Sequence, residues 1–309
     1  MKNPKVVCLG GGHGLAATLS ALRSLTSNIT AIVTVADNGG SSGRLRDEFN
    51  SLPPGDLRMA LAALCADDDW GRSWAEILQY RFTSEGDLNN HAIGNLILTA
   101  LWDRDIDPVG GLDKVGQLLK VVGRVLPMAP KPLDIEATFS TKSGKKIVRG
   151  QVEVAESKGR VDDLNLIPND PSMTIEAKQA ISEADWIFFG PGSWLSSVMP
   201  HFLHKEQEVA LHKSGAKKVV IFNLPDRNTS DEYYDKPLEE HLKLLLKHSR
   251  DFKFDFALID STQEDVGADF YKLVNKCGAR VIAKDVRDDV DQFRHNREKL
   301  SSVISHILT

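Results

Sequence analysis

Three times in this chain of 309 residues a short apolar run stops at a glycine-rich loop. Residues 5–9 (Lys-Val-Val-Cys-Leu) lead into Gly10-Gly11-Gly12-His13-Gly14, after which Leu15, Leu19 and Leu22 recur at helical spacing. Residues 29–35 end at Asp37-Asn38 and open into Gly39-Gly40-Ser41-Ser42-Gly43-Arg44-Leu45-Arg46. Residues 186–189 run into Gly190-Pro191-Gly192-Ser193, then Trp194-Leu195-Ser196-Ser197. Strand, glycine loop and helix in that order build parallel α/β sheets, and in a doubly wound sheet the loops at strand carboxyl ends share one rim. The three junctions predict a Rossmann-like α/β fold whose loops converge.

The rest of the pattern agrees. Helices are expected over 57–64, 73–82, from Asn89-Asn90-His91 to Trp102, and over 109–122, where Leu126-Pro127-Met128-Ala129-Pro130 closes the run. The period then changes. Residues 133–141 and 146–154 alternate around Lys142-Ser143-Gly144-Lys145, a hairpin signature. Beyond Thr174 strands at 185–189, 217–222, 254–259 and 279–283 alternate with helices. We therefore expect one Rossmann-like domain over 1–309 with a doubly wound, mainly parallel sheet and a small antiparallel hairpin insertion at 131–156.

The balance of 38 Lys+Arg against 43 Asp+Glu leaves −5, which argues against sequence-independent nucleic-acid binding. Cys8, Cys65 and Cys277 are far apart and read as buried thiols in a reducing compartment. No signal peptide or membrane-spanning run is legible, so a cytoplasmic location without membrane insertion is expected.

The loops have the chemistry of a phosphate site. Glycines let backbone N–H groups approach an anion, Ser41 and Ser42 add hydroxyl donors, and Arg44 and Arg46 add charge. Gly11, Gly12, His13 and Gly14 would place phosphate at a helix N-terminus, with His13 contacting it or capping the helix. Leu15 replaces the third glycine of the dinucleotide fingerprint, and a Walker loop is excluded by the lack of a Lys-Ser/Thr pair. Asp37 either holds a ribose hydroxyl or a hydrated Mg²⁺, or closes an Asx-turn. Asp56 caps its helix or faces the site. His91 and Asn95, at i,i+4, would form a polar pocket wall. Asn223 stands at a strand end, at the base or sugar end of a pocket or in a surface loop. His201, His204 and His212 lack supporting acids, so no metal site is expected there.

Taken together, residues 6–15, 33–46, 53–58, 91–95 and 190–200 resemble the gluconeogenesis factor family, which shares a fold superfamily (CofD-like) with 2-phospho-L-lactate transferase. The resemblance spans residue 5 to about 260. Gly-Gly-Gly-His-Gly-Leu with Gly-Pro-Gly-Ser-Trp is most similar to its actinobacterial branch. It implies a regulatory protein that binds nucleotide sugars of the UDP-N-acetylglucosamine type, needed for cell shape and peptidoglycan supply in gluconeogenic growth. The implied ligand set is Gly11, Gly12, His13, Gly14, Asp37, Asn38, Gly40, Ser41, Ser42, Arg44, Asp56, Arg58, His91, Asn95, Gly190, Pro191, Gly192, Ser193 and Asn223. Two departures stand out: the family's second aspartate is Asn38, and its Pro-Gly-Glu-Thr stretch after Asn223 is replaced by residues 226–231.

On this reading the protein binds without catalysis, requires no cofactor, and acts through unidentified cytoplasmic partners or as a homodimer. The enzymatic alternative is a Mg²⁺-dependent transferase moving a phosphorylated group from a nucleotide donor, with Asp37 as catalytic and metal-binding acid. A nicotinamide dinucleotide binder is the third class.

Overall fold

The computed structural model describes residues 3–142, 144–224 and 236–309. The turn residue Ser143 and the departure at 226–231 lie outside them.

β1 (Val6–Gly10) passes through Gly11 into α1 (Gly12–Leu22), and β2 (Ile29–Val33) leads to α2 (Gly40–Phe49). Four helices follow: α3 (Pro54–Leu64), α4 (Asp69–Gln79), α5 (Ile93–Asp105) and α6 (Pro108–Leu119), then the edge strand β3 (Arg124–Pro127). The inserted unit comprises β4 (Asp134–Thr141), β5 (Gly144–Arg149), α7 (Gln151–Glu156) and β6 (Arg160–Ile167). The second half runs α8 (Ile175–Glu183), β7 (Trp186–Phe189), a π-turn at Trp194–Val198, α9 (Pro200–Leu203), α10 (Lys205–Lys213) and β8 (Lys217–Ile221). It closes with α11 (Leu238–His248), β9 (Phe256–Asp260), α12 (Ala268–Lys276), β10 (Arg280–Lys284) and α13 (Arg297–Leu308).

Among the described residues the main sheet has seven strands, ordered β10-β9-β8-β7-β1-β2-β3, and every pairing is parallel. Its central strands read as unbroken apolar runs because helices cover both faces; all residues of β1 and β7 are buried. The doubly wound α/β expectation holds.

Three local readings are corrected. The helix over 109–122 stops at Leu119, and 124–127 forms the edge strand β3, paired to β2 alone. Its terminal Pro127 is tolerated because an edge strand need not donate on its outer side. The hairpin's second strand ends at Arg149, where Gly150 takes a φ of 107° and turns the chain into α7. The alternation in Gln-Val-Glu-Val is a helix that buries Val154 alone. A third strand, β6, pairs with β4, so the insertion is a three-stranded antiparallel sheet reaching Ile167. No helix among the described residues is long and apolar enough to cross a membrane.

Candidate functional site

From β1 the chain order runs through β2 and β3 to one edge of the sheet, and from β7 through β10 to the other. The order reverses between β1 and β7, and crevices at such switch points are where open α/β sheets bind ligands. A cleft of about 620 Å³ lies there. Of the residues anticipated from sequence, Gly11, Gly12, His13, Gly14, Asp37, Gly40, Ser41, Ser42, Asp56, Arg58, Asn95, Gly192 and Ser193 line it.

Gly39–Arg46 is not a loop. Gly40 starts α2, so Ser41 and Ser42 sit in the first helical turn, and Asp37 Oδ1 accepts the Gly39 N–H at 2.8 Å. The N-caps of α1 and α2, Gly11 and Gly39, are extended and provide no side-chain cap. Two helix N-termini thus bring uncapped backbone N–H groups to one cleft, the arrangement that favours an anion. Gly14 permits the close approach of the first and third loops, since a Cβ there would overlap the Pro191 carbonyl. A Cβ on Gly11 would meet Asp56, which packs the first turn of α3 against the same loop.

Seven anticipated residues lie outside the lining. Arg44 donates to the carbonyls of Asp87 (3.0 Å) and Asn89 (2.6 Å), fixing the 82–91 segment. Arg46 pairs with Asp134 of the insertion. Asn38 also turns to the insertion, accepting from Val152 N at 3.0 Å and donating to Glu153 Oε2 at 2.8 Å. The amide at 38 therefore holds α7, and an aspartate there would face Glu153. Gly190 accepts a hydrogen bond from Thr18 Oγ1, and the Pro191 carbonyl abuts Gly14 of α1. Asn223 clamps that loop from below, accepting from Gly192 N (2.8 Å) and donating to Gly192 O (2.7 Å). His91 precedes α5, whose N-cap is Ala92, so it is not on a helical face with Asn95; the two meet instead at Ser41 Oγ.

The lining also holds Gly39, Gly55, Met59, Arg81, Asn90, Gln151 and Ser197, which the sequence reading did not place among the ligand residues. Met59 follows Arg58 on α3 and was legible as a neighbour. Arg81 and Gln151 come from the end of α4 and from the insertion, and no local pattern marks them.

Arg58 is 3% exposed, and its Nη1 is buried without a hydrogen-bond partner. Burial, then repulsion from Arg81, lowers its pKa to about 10, with Asp56 opposing. His13 is pushed down by burial and by Arg294, Arg58 and Arg81. Arg58 and Arg81 both line this cleft, Arg58 buried and Arg81 exposed. All three thiols are buried, and burial raises the pKa of each, that of Cys65 to about 11.

Burial raises the Asp37 pKa, against the lowering effects of the Gly39 N–H, Ser42 and Arg46. A raised folded-state pKa favours the protonated fold, and that stability is lost as pH rises through the folded pKa. Asp37→Asn, which never ionises, is therefore expected to raise Tm at pH 8, with a gain that fades as pH approaches the ordinary aspartate value of about 4. Thermal melts across this range check it, and a gain independent of pH would contradict it.

Residues 6–300 match the family model described as 2-phospho-L-lactate transferase CofD. The chain belongs to the CofD-like family. Within that family it is similar to a Listeria innocua protein named gluconeogenesis factor, 33% identical over an alignment that covers 99% of this chain and 96% of that protein. A Mycobacterium tuberculosis protein, provisionally named a gluconeogenesis factor, is 47% identical over 260 residues, 83% of this chain and 75% of its own length. A crystal structure of a Bacillus halodurans protein of the UPF0052 family has a TM-score of 0.86 at 32% identity, covering 98% of this chain and 99% of that one. The resemblance drawn from the loop motifs holds and extends beyond residue 260. No group of three or more His, Cys, Asp or Glu placed to hold a metal occurs among the described residues.

Proposed function

We propose that this CofD-like protein binds a nucleotide diphosphate sugar of the UDP-N-acetylglucosamine type at the switch-point cleft, without turnover, and acts as a regulator in gluconeogenic growth. The observation that carries this reading is the buried, unpaired Nη1 of Arg58 in a cleft bordered by the N-termini of α1 and α2. A desolvated guanidinium needs an anion, and two helix N-termini suit a diphosphate. A cleft of about 620 Å³ falls within the range of small-molecule and cofactor sites. The names of the relatives support the gluconeogenic context. Regulation would follow from ligand-dependent ordering of the cleft and presentation of a surface to protein partners or to a second copy.

One observation favours a second reading. Asp37 and Asp56 line the same cleft, and two carboxylates beside a phosphate site are an oxygen donor set suited to Mg²⁺. A Mg²⁺ held by them would supply charge neutralisation to a phosphoryl-group transferase, in keeping with the name of the family model. Calorimetric titration with UDP-N-acetylglucosamine, with and without Mg²⁺ and followed by chromatography of the nucleotide, separates the two. Saturable, Mg²⁺-independent binding with intact ligand is expected. Mg²⁺-dependent consumption of a nucleotide donor in the presence of an acceptor would establish the transferase instead.

A further inference from the structure

Arg58, Asn95 and Ser41 of the cleft wall form one hydrogen-bonded chain with His91, and none of the four is more than 6% exposed. Arg58 Nε donates to Asn95 Oδ1 at 2.8 Å, and Asn95 Nδ2 donates to Ser41 Oγ at 2.9 Å. Ser41 Oγ lies 2.9 Å from His91 Nδ1. A guanidinium has no acceptor, so the Arg58 N–H enters the Asn95 oxygen and commits the carboxamide nitrogen to Ser41. One lone pair of Ser41 is thereby used. Its remaining proton and lone pair are divided between His91 and the cleft.

Two states are open to this division. With a proton on Nδ1, His91 donates to Ser41, whose O–H then points into the cleft. With Nδ1 bare, Ser41 donates to His91 and shows the cleft a lone pair, as a serine activated for attack would. The cleft selects between them. An anion bound between Arg58, whose Nη1 has no partner, and the uncapped start of α2 would repel a lone pair and accept an O–H.

We infer that Ser41 is a dedicated hydrogen-bond donor to an anionic group of the ligand, its direction set by Arg58 through Asn95 and by the Nδ1–H tautomer of His91. The inference rests on reading the cleft as a phosphate site. It makes His91 and Asn95 positioning residues, and donors arranged in series polarise one another toward the anion. His91 performs this as a neutral ring: burial, Arg44 and Arg81 hold its pKa down, opposed by Glu48.

Imidazole ¹⁵N NMR of the full chain, at pH 7.5 with saturating inorganic pyrophosphate and then with UDP-N-acetylglucosamine, reads the tautomer directly. His91→Gln assigns the signal. The neutral Nδ1–H form is expected in both complexes. Ser41→Ala is expected to weaken pyrophosphate binding about tenfold, and His91→Ala to cost nothing further in the Ser41→Ala background. An Nε2–H tautomer in the complex, or additive losses, overturns the inference and favours the activated serine. Pyrophosphate binding with the expected signature but no UDP-N-acetylglucosamine binding sinks the nucleotide-sugar reading and leaves the donor assignment standing. Nucleotide-sugar binding with an Nε2–H ring does the reverse. Binding of neither ligand overturns both.

Discussion

Arg58→Met is expected to weaken binding of UDP-N-acetylglucosamine roughly 100-fold while raising the Tm of the ligand-free protein. The two effects have one cause. Arg58 is 3% exposed, its neighbour Arg81 is cationic, and its Nη1 has no partner. The free fold therefore bears the cost of a buried, incompletely solvated charge. A ligand phosphate would relieve that cost through a charge-assisted hydrogen bond in a low-dielectric setting, where such bonds are strongest. Methionine keeps much of the volume and removes both the cost and the bond. Arg58→Lys is not a rescue, because one ammonium cannot serve Asn95 Oδ1 and a phosphate in the geometry of the guanidinium fork. Calorimetry and thermal melts on the same preparation check the pair of outcomes. Unchanged affinity would remove Arg58 from the site. A fall in both quantities would mean that its bond to Asn95 is chiefly structural.

The second large effect concerns loop closure. Gly14→Ala is expected to destabilise the protein by about 3 kcal/mol, although alanine favours a helix interior over glycine. The added Cβ would overlap the Pro191 carbonyl and lie 2.6 Å from the Gly192 nitrogen, and these are backbone atoms that cannot swing aside. Gly190 is tied to α1 by Thr18 Oγ1 at 2.9 Å, and Gly192 is clamped by Asn223. Relief would thus separate β1 from β7 at the switch point and open the cleft. Gly215→Ala is the control, since its Cβ would meet nothing within 4 Å. Urea denaturation of the two variants should differ by nearly the whole effect. Equal midpoints would show that the first and third loops part easily.

The parallel core was legible because its signals are local. Residues 6–10 and 186–189 are continuous apolar runs ending in glycine, which only strands buried on both faces require. Two stretches of the cleft lining were legible for the same reason: Gly11–Gly14 and Gly40–Ser42 are contiguous in sequence and remain so in the cleft. The insertion was half read. Residues 134–141 and 144–149 alternate as strands must, but β6 pairs with β4 across the intervening α7, and no turn signal announces that return.

Arg44 and Arg81 show where local reading failed. Arg44 stands in the glycine-serine segment and looked like the ligand's cation, yet the helical turn begun at Gly40 carries it to the carbonyls of Asp87 and Asn89. Arg81 sits in an unremarkable stretch after α4 and faces the cleft because an isolated pairing of Arg81 with Ala92 folds that stretch back on itself. Charge in a sequence has no direction until the backbone gives it one. His91 and Asn95 were rightly paired for the wrong reason, meeting at Ser41 rather than on a shared helical face.

The sequence by itself determined the alternation of strands and helices in the main sheet and the glycine-rich junctions that follow β1, β2 and β7. These depend on periodicity and on residue types that act where they stand. Only the tertiary structure decided which side chains share the cleft, that Asn38 and Asn223 support it from outside, and that Arg58 lies buried with a donor to spare. Those outcomes depend on contacts between segments far apart in the chain, made by helix N-termini and strand ends that meet where the sheet reverses its order.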